Sequence, residues 1–130
     1  MERYWGNSVP GVQAVVERDG PSAGRWDIPG GFLDEGEDAI AGLQREVYEE
    51  TGLEVETIGF LRAWNEEYWD RTVLCLTWVV RATGGEQQPG DDLVELRWFD
   101  TKERPRGAEL AFPTFDSILD LWTLQRTSCS

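Results

Sequence analysis

Histidine is missing from this chain of 130 residues, lysine occurs once, as Lys102, and cysteine twice, as Cys75 and Cys129. Without an imidazole, Ser-His-Asp and Cys-His triads, imidazole general bases and histidine-containing zinc sites are excluded together. Cys75 stands inside an apolar run and Cys129 near the C-terminal end, so the pair lacks metal-ligand spacing and reads as two reduced thiols. Positive charge is also scarce: 12 Lys and Arg stand against 25 Asp and Glu, a net charge of −13. Such a surface repels phosphate backbones and anionic lipid, which argues against duplex nucleic acid and membranes as partners. A small phosphorylated ligand stays open, because a bound metal ion inverts the local field. Long apolar runs are absent as well. The longest charge-free stretch near mid-chain, residues 72–80, falls far short of the roughly 20 residues of a membrane span. The first residues, Met-Glu-Arg-Tyr-Trp, carry no secretory pattern, which leads to the expectation of a cytoplasmic protein.

What is present suits one soluble domain spanning residues 1–130. Hydrophobic residues make up 40% and charged residues 28%, ordinary for a globular chain with a core of its own. Residues 11–17, rich in valine, read as a strand, and Asp19, Gly20, Pro21 and Gly24 signal a turn. Residues 26–32 read as short and extended. Asp38 is a candidate N-cap and Gly52 a candidate C-terminal glycine for a helix whose Ile40, Leu43 and Val47 form one apolar stripe. Residues 53–64 and 71–82 read as strands, the second apolar enough at 72–80 to be buried on both faces. Residues 84–91 form a turn-rich connection, and 93–99 another strand. A helix over 113–125 presents Phe115, Ile118, Leu119 and Trp122. Strands mixed with two helices predict an α/β or α+β domain.

The chemistry concentrates in residues 30–53. Asp34, Glu35, Glu37, Asp38, Glu46, Glu49 and Glu50 face Arg45 as the one cation there. Glu46, Glu49 and Glu50 share a helix face through their i,i+3 and i,i+4 spacing, at the end where the helix dipole is already negative. Two carboxylates about 4 Å apart repel by roughly 4 kcal/mol at an effective dielectric near 20. Gly42, one turn earlier, predicts an open floor beside them. Two readings account for the cluster: a solvated acidic face, or a site for a hard divalent cation that takes carboxylate oxygens. The order of residues does not fit an EF-hand loop.

Gly31, Glu37, the run Arg45-Glu46-Val47, the pair Glu49-Glu50 and then Gly52-Leu53 keep the spacing GX5EX7REUXEEXGU, where U is aliphatic. All nine fixed or restricted positions match, and the segment resembles a complete Nudix box. The preceding Trp26-Asp27-Ile28-Pro29-Gly30-Gly31 resembles the usual lead-in, and the chain resembles ADP-ribose and NADH pyrophosphatase-like members. Residues 95–99 resemble the strand after the box, and 110–113 the entry to the last helix. The resemblance implies an α/β/α sandwich with a mixed sheet and hydrolysis of a nucleoside diphosphate linked to another group. It implies Mg²⁺ or Mn²⁺ held by Glu46, Glu49 and Glu50, with the Gly30 carbonyl. Arg45 would hold a glutamate of the box, and Glu37 would be a secondary ligand or a structural partner. Glu50 or Asp92 would accept the proton from water, Glu49 belonging to the same catalytic group. Trp64 and Tyr68 are candidates to stack on a base, or else to pack beside a strand end.

The match departs from the family in one place. The strand that usually follows the first one, ending in arginines, has no counterpart around Asp19–Gly24. Its loss predicts an unpaired sheet edge, which invites a homodimer or a strand exchange. It also leaves a rival reading, a Nudix fold that binds a nucleotide or a protein without turnover. A third reading makes the charge an adaptation to high salt. The proline-rich array of NADH pyrophosphatases is absent, as is the proline that ADP-ribose hydrolases carry beyond the box, here near Tyr68.

Overall fold

The computed structural model describes residues 9–17, 29–67, 70–88 and 114–128. Their order is β1 (Val9–Glu17), β2 (Gly30–Phe32), α1 (Ala39–Thr51), β3 (Leu53–Glu67), β4 (Thr72–Gly85) and α2 (Thr114–Ser128). The strands form one mixed sheet in the order β2-β1-β4-β3. β1 runs antiparallel to β2 and parallel to β4, and β3 and β4 are antiparallel.

Alternation along β1 divides the core in two. Val12, Ala14 and Val16 face one side and pack with Leu43 and Val47 of α1, together with Leu53, Val55 and Val80. Val15 faces the other side and packs with Ile118, Leu119 and Trp122 of α2, together with Leu61 and Val79. A helix therefore covers each face, and the fold is an α/β/α sandwich, as two-sided apolar strands require. Trp122 also donates from Nε1 to the buried Glu17 Oε1 at 2.7 Å, which ties α2 to the end of β1.

α1 starts and stops where its sequence signals lie. The Asp38 carboxylate accepts from the N–H groups of Ile40 and Ala41, both at 3.1 Å. Gly52 takes φ 74°, a left-handed value that suits glycine, and donates its N–H to the Tyr48 carbonyl. Thr51 adds a second lock: its hydroxyl donates to the Val47 carbonyl at 2.6 Å and accepts from the Leu53 N–H at 3.1 Å.

Several boundaries and one burial pattern differ from the expectations. β3 continues past Trp64 to Glu67, and β4 runs from Thr72 to Gly85, taking in two residues expected in the following connection. The longer strands pair along their whole length, which satisfies backbone groups that a turn would have left to solvent. α2 runs to Ser128 rather than to 125. Residues 72–80 are not buried on both faces throughout. Val73, Cys75 and Thr77 are buried, yet Leu74 is 38% exposed, because it lies outside the cluster that α1 covers. β4 pairs with β1 along its full length, while on the other side β2 pairs at Gly11–Gln13 and, among the described residues, no strand pairs with residues 15–17. The proposed deletion at 19–24, the strand at 93–99 and the side chain of Phe115 lie outside the described residues.

Candidate active site

The site is assembled where β2 meets α1. Between them the chain turns at Asp34 and Glu37. The Glu37 N–H donates to the Asp34 carbonyl at 3.0 Å, and Glu37 Oε1 accepts from the Asp34 N–H at 3.0 Å. This fixes the Glu37 carboxylate beside the first turn of α1. Arg45, two turns on, reaches back to it with a fork: Nε to Oε2 at 2.7 Å and Nη2 to Oε1 at 2.9 Å. A planar guanidinium suits this two-point grip. Nη2 also donates to the Phe32 carbonyl at 3.3 Å, which joins the helix to β2. The remaining arm serves two carboxylates at once, with Nη1 at 3.0 Å from Glu46 Oε1 and 3.1 Å from Glu49 Oε2.

Two glycines bring β2 up to these glutamates. A Cβ on Gly31 would run into the Glu46 carboxylate, so only glycine lets that side chain lie against the strand. Gly30 donates its N–H to Glu50 Oε2 at 3.0 Å. Glu46 and Glu50 therefore converge on adjacent backbone positions, while Arg45 holds Glu46 and Glu49 on one nitrogen. Gly42 plays a different part from the open floor expected of it. A Cβ there would meet the Leu33 side chain and lie 3.0 Å from Glu37 Oε1. The space is filled, and Gly42 is small so that the turn carrying Glu37 can close over α1.

The electrostatics follow from this packing. The Arg45 hydrogen bond and the Asp34 N–H lower the Glu37 carboxyl to about 2. Its bond to Glu37 raises the Arg45 guanidinium further above its ordinary range. Glu46 moves the other way: burial raises its carboxyl, against the pull of Arg45, and neighbouring Glu49 adds to the rise. Among the described residues no three acidic side chains are grouped as a ready cage for an ion. In this arrangement Arg45 is the cation that Glu46 and Glu49 face, and both Glu37 oxygens are engaged as a structural partner of Arg45.

The donor set nonetheless fits a hard cation. The carboxylates of residues 30–53 outnumber their single guanidinium, and Glu46 is held partly desolvated against Gly31. Carboxylate oxygens are the ligands that Mg²⁺ or Mn²⁺ selects.

Of the other residues singled out in the sequence, Asp92 and Tyr68 lie outside the described residues. Trp64 is half-buried against the core beneath α2, away from α1. It sits in the row Phe32, Gly11, Cys75, Trp64 that crosses the sheet. Cys75 is buried, and that burial, with Glu66 nearby, pushes its thiol up to about 11, so it is a packing residue at neutral pH. Gln13 and Thr77 do not stand out in the sequence. Their signal there is polarity within the mainly apolar stretches of two strands.

Comparison with known proteins agrees with this geometry. A family profile described as NUDIX domain matches residues 12–117. An ADP-ribose pyrophosphatase of Methanocaldococcus jannaschii is 30% identical over 97 residues, covering 73% of this chain and 57% of that protein. A MutT-like protein of Streptomyces ambofaciens is 30% identical over 103 residues, covering 74% of this chain and 64% of that protein. The chain thus spans less than two thirds of the length of these relatives. A NUDIX hydrolase structure from Nitrosomonas europaea superposes with a TM-score of 0.79 at 21% identity, covering 96% of this chain and 75% of that one. The profile match takes in most of the chain, including α1 and the whole carboxylate site, and the chain belongs to the Nudix family.

Proposed function

We propose that this chain hydrolyses a pyrophosphate bond in a nucleoside diphosphate linked to a second moiety, with a divalent cation, Mg²⁺ or Mn²⁺, as cofactor. The observation that carries this reading is the convergence of Glu46 and Glu50 on Gly31 and Gly30, with Glu49 tied to Glu46 through Arg45. Among the relatives, the ADP-ribose pyrophosphatase is named for a nucleoside diphosphate linked to a sugar, and an 8-oxo-dGDP phosphatase of Danio rerio, 31% identical over 101 residues, for a nucleoside diphosphate itself.

Glu46, Glu49 and Glu50, with the Gly30 carbonyl, are the groups that would hold the cation. When bound, it supplies charge neutralisation of the pyrophosphate and acidifies water. The chain's own residues do the rest. Arg45, gripped by Glu37, holds Glu46 and Glu49 in register, so the carboxylates are positioned before the substrate arrives. Glu50, fixed by the Gly30 N–H, accepts the proton as water attacks phosphorus. Asp92 is the alternative for that step.

Phosphate-coupled turnover tests the reading. The panel holds ADP-ribose, NADH, dinucleoside polyphosphates, nucleotide sugars and nucleoside triphosphates, each with Mg²⁺ and with Mn²⁺. Metal-dependent hydrolysis of one class establishes the activity and its substrate together. No turnover with any of them, while nucleotides still bind, leaves the non-catalytic binding module in its place.

A further inference from the structure

A cavity of about 250 Å³ opens between α2 and the sheet. Trp122 and Gln125 of α2 line one side, and Val79 of β4 and Gly59 of β3 line the other. Glu17, at the end of β1, also lines it. Gly59 pairs with Val79, and Val79 with Val15, two residues before Glu17. The carboxylate site lies the other way along β1, where Gln13, four residues before Glu17, pairs with Gly30. Four residues of strand span about 13 Å. The lining takes in no residue of the segment 30–53, so the cavity is a second site, on the face that α2 covers.

Gly59 makes the space. A Cβ added there would meet nothing within 4 Å, and its φ is not left-handed, so neither crowding nor backbone conformation requires glycine. The register shift beside it leaves Ile58 as the extra residue, so the bulge does not require glycine at 59 either. A glycine inside a strand weakens it and packs nothing, and one use of such a position is the close approach of a ligand. The chemistry of the walls says which ligand. Glu17, 3% exposed, accepts from Trp122 Nε1 at 2.7 Å, so a carboxylate and an indole stand side by side in a mainly apolar cavity. Both groups attract an ammonium ion, the first through a charge-assisted hydrogen bond and the second through its ring. Ile58 and Phe60, 48% and 53% exposed, also line the cavity and offer apolar surface for a body to cover. The net charge of −13 draws cations toward the chain and repels anions.

We infer that this cavity binds a small organic cation, an ammonium group on an aromatic body, at a site separate from the carboxylates of α1. The ammonium group lies against Glu17 and Trp122, and the body fills the space over Gly59 beside Val79. A second nucleotide does not fit this chemistry, because its phosphates would meet a buried carboxylate. Once bound, the cation bridges α2 to β1 and β3 and stabilises the helix on the sheet. The site stands independently of the hydrolytic reading.

Calorimetry on the full chain, with saturating Mg²⁺ and without it, compares three probes of one skeleton: phenethylamine, phenethyl alcohol and phenylacetate. The amine is expected to bind at one site and to raise Tm, the alcohol to bind at least about tenfold more weakly, and phenylacetate not to bind. Gly59→Leu fills the cavity with a side chain that the backbone admits. It is expected to abolish amine binding while its ligand-free Tm stays level or rises. Glu17→Gln keeps the shape and removes the charge, and is expected to bring amine and alcohol within about twofold of each other. If Glu17→Gln does not fold, the Gly59→Leu result decides alone. No amine binding at millimolar concentration, equal binding of amine and phenylacetate, or a Gly59→Leu variant that binds the amine as the parent does overturns the assignment. So does amine binding that Mg²⁺ displaces, which would place the amine among Glu46, Glu49 and Glu50.

Discussion

The two faces of the sheet treat polar groups in opposite ways. On the α1 side, Arg45 meets Glu37, Glu46 and Glu49, and each close contact has a named donor and acceptor. On the α2 side, Gln13, Thr77 and Trp64 bury polar atoms that meet nothing. A buried unpaired group costs roughly 1–3 kcal/mol. The first face is organised around the protein's own charges, while the second buries polar atoms outside its hydrogen bonding. Even the α1 face is not at rest. Its carboxylates exceed its one guanidinium, and burial already raises the Glu46 carboxyl.

The largest break in the comparison comes from Glu49→Gln, which keeps shape and removes a charge from the crowded side. Turnover is expected to fall at least about a hundredfold, while Tm without metal holds or rises as repulsion is relieved. Unchanged turnover in a steady-state assay would remove Glu49 from the site. Arg45→Lys comes next, since it preserves charge and loses the fork. Glu46 and Glu49 lose their common anchor, and kcat is expected to drop about tenfold to a hundredfold. A kcat equal to the parent's would show that the fork positions nothing.

On the α2 side, Trp122→Phe probes a buried pair that is satisfied. It leaves Glu17, 3% exposed, without its indole donor. A destabilisation of about 1–3 kcal/mol in denaturant unfolding is expected. A neutral result would mean that Glu17 is served well enough by other groups. The smallest effect is Glu37 titration. Its folded pKa of about 2 lies below the ordinary glutamate value of 4.5. Its contribution to stability is therefore complete above pH 4.5 and fades as the pH falls toward 2. A carboxyl NMR titration should place its midpoint near 2; a midpoint near 4.5 would mean that Arg45 does not hold it in solution.

Much of the first face is legible in the sequence, because its signals are local. Asp38 and Gly52 announce the ends of α1, and the spacing of Glu46, Glu49 and Glu50 alone places them on one helix face. The role of Gly42 is not legible, for want of a long-range fact: that the Leu33–Glu37 turn folds back over the helix. The second face is illegible for the same reason. Gln13, Thr77 and Trp64 come from three strands, and only the register of β1, β4 and β3 brings them onto neighbouring rows of one face. The ends of β3 and β4 escape the sequence too, since pairing across the hairpin, not propensity, carries Gly84 and Gly85 into the sheet.

The most direct measurement is thermal unfolding of the parent chain and of the Glu46→Gln/Glu49→Gln double variant across a Mg²⁺ titration, repeated with Mn²⁺. A saturable rise in Tm is expected for the parent, no rise for the variant, and a variant at least as stable as the parent without metal. An equal rise in both proteins, or a variant that loses stability in the absence of metal, would contradict it.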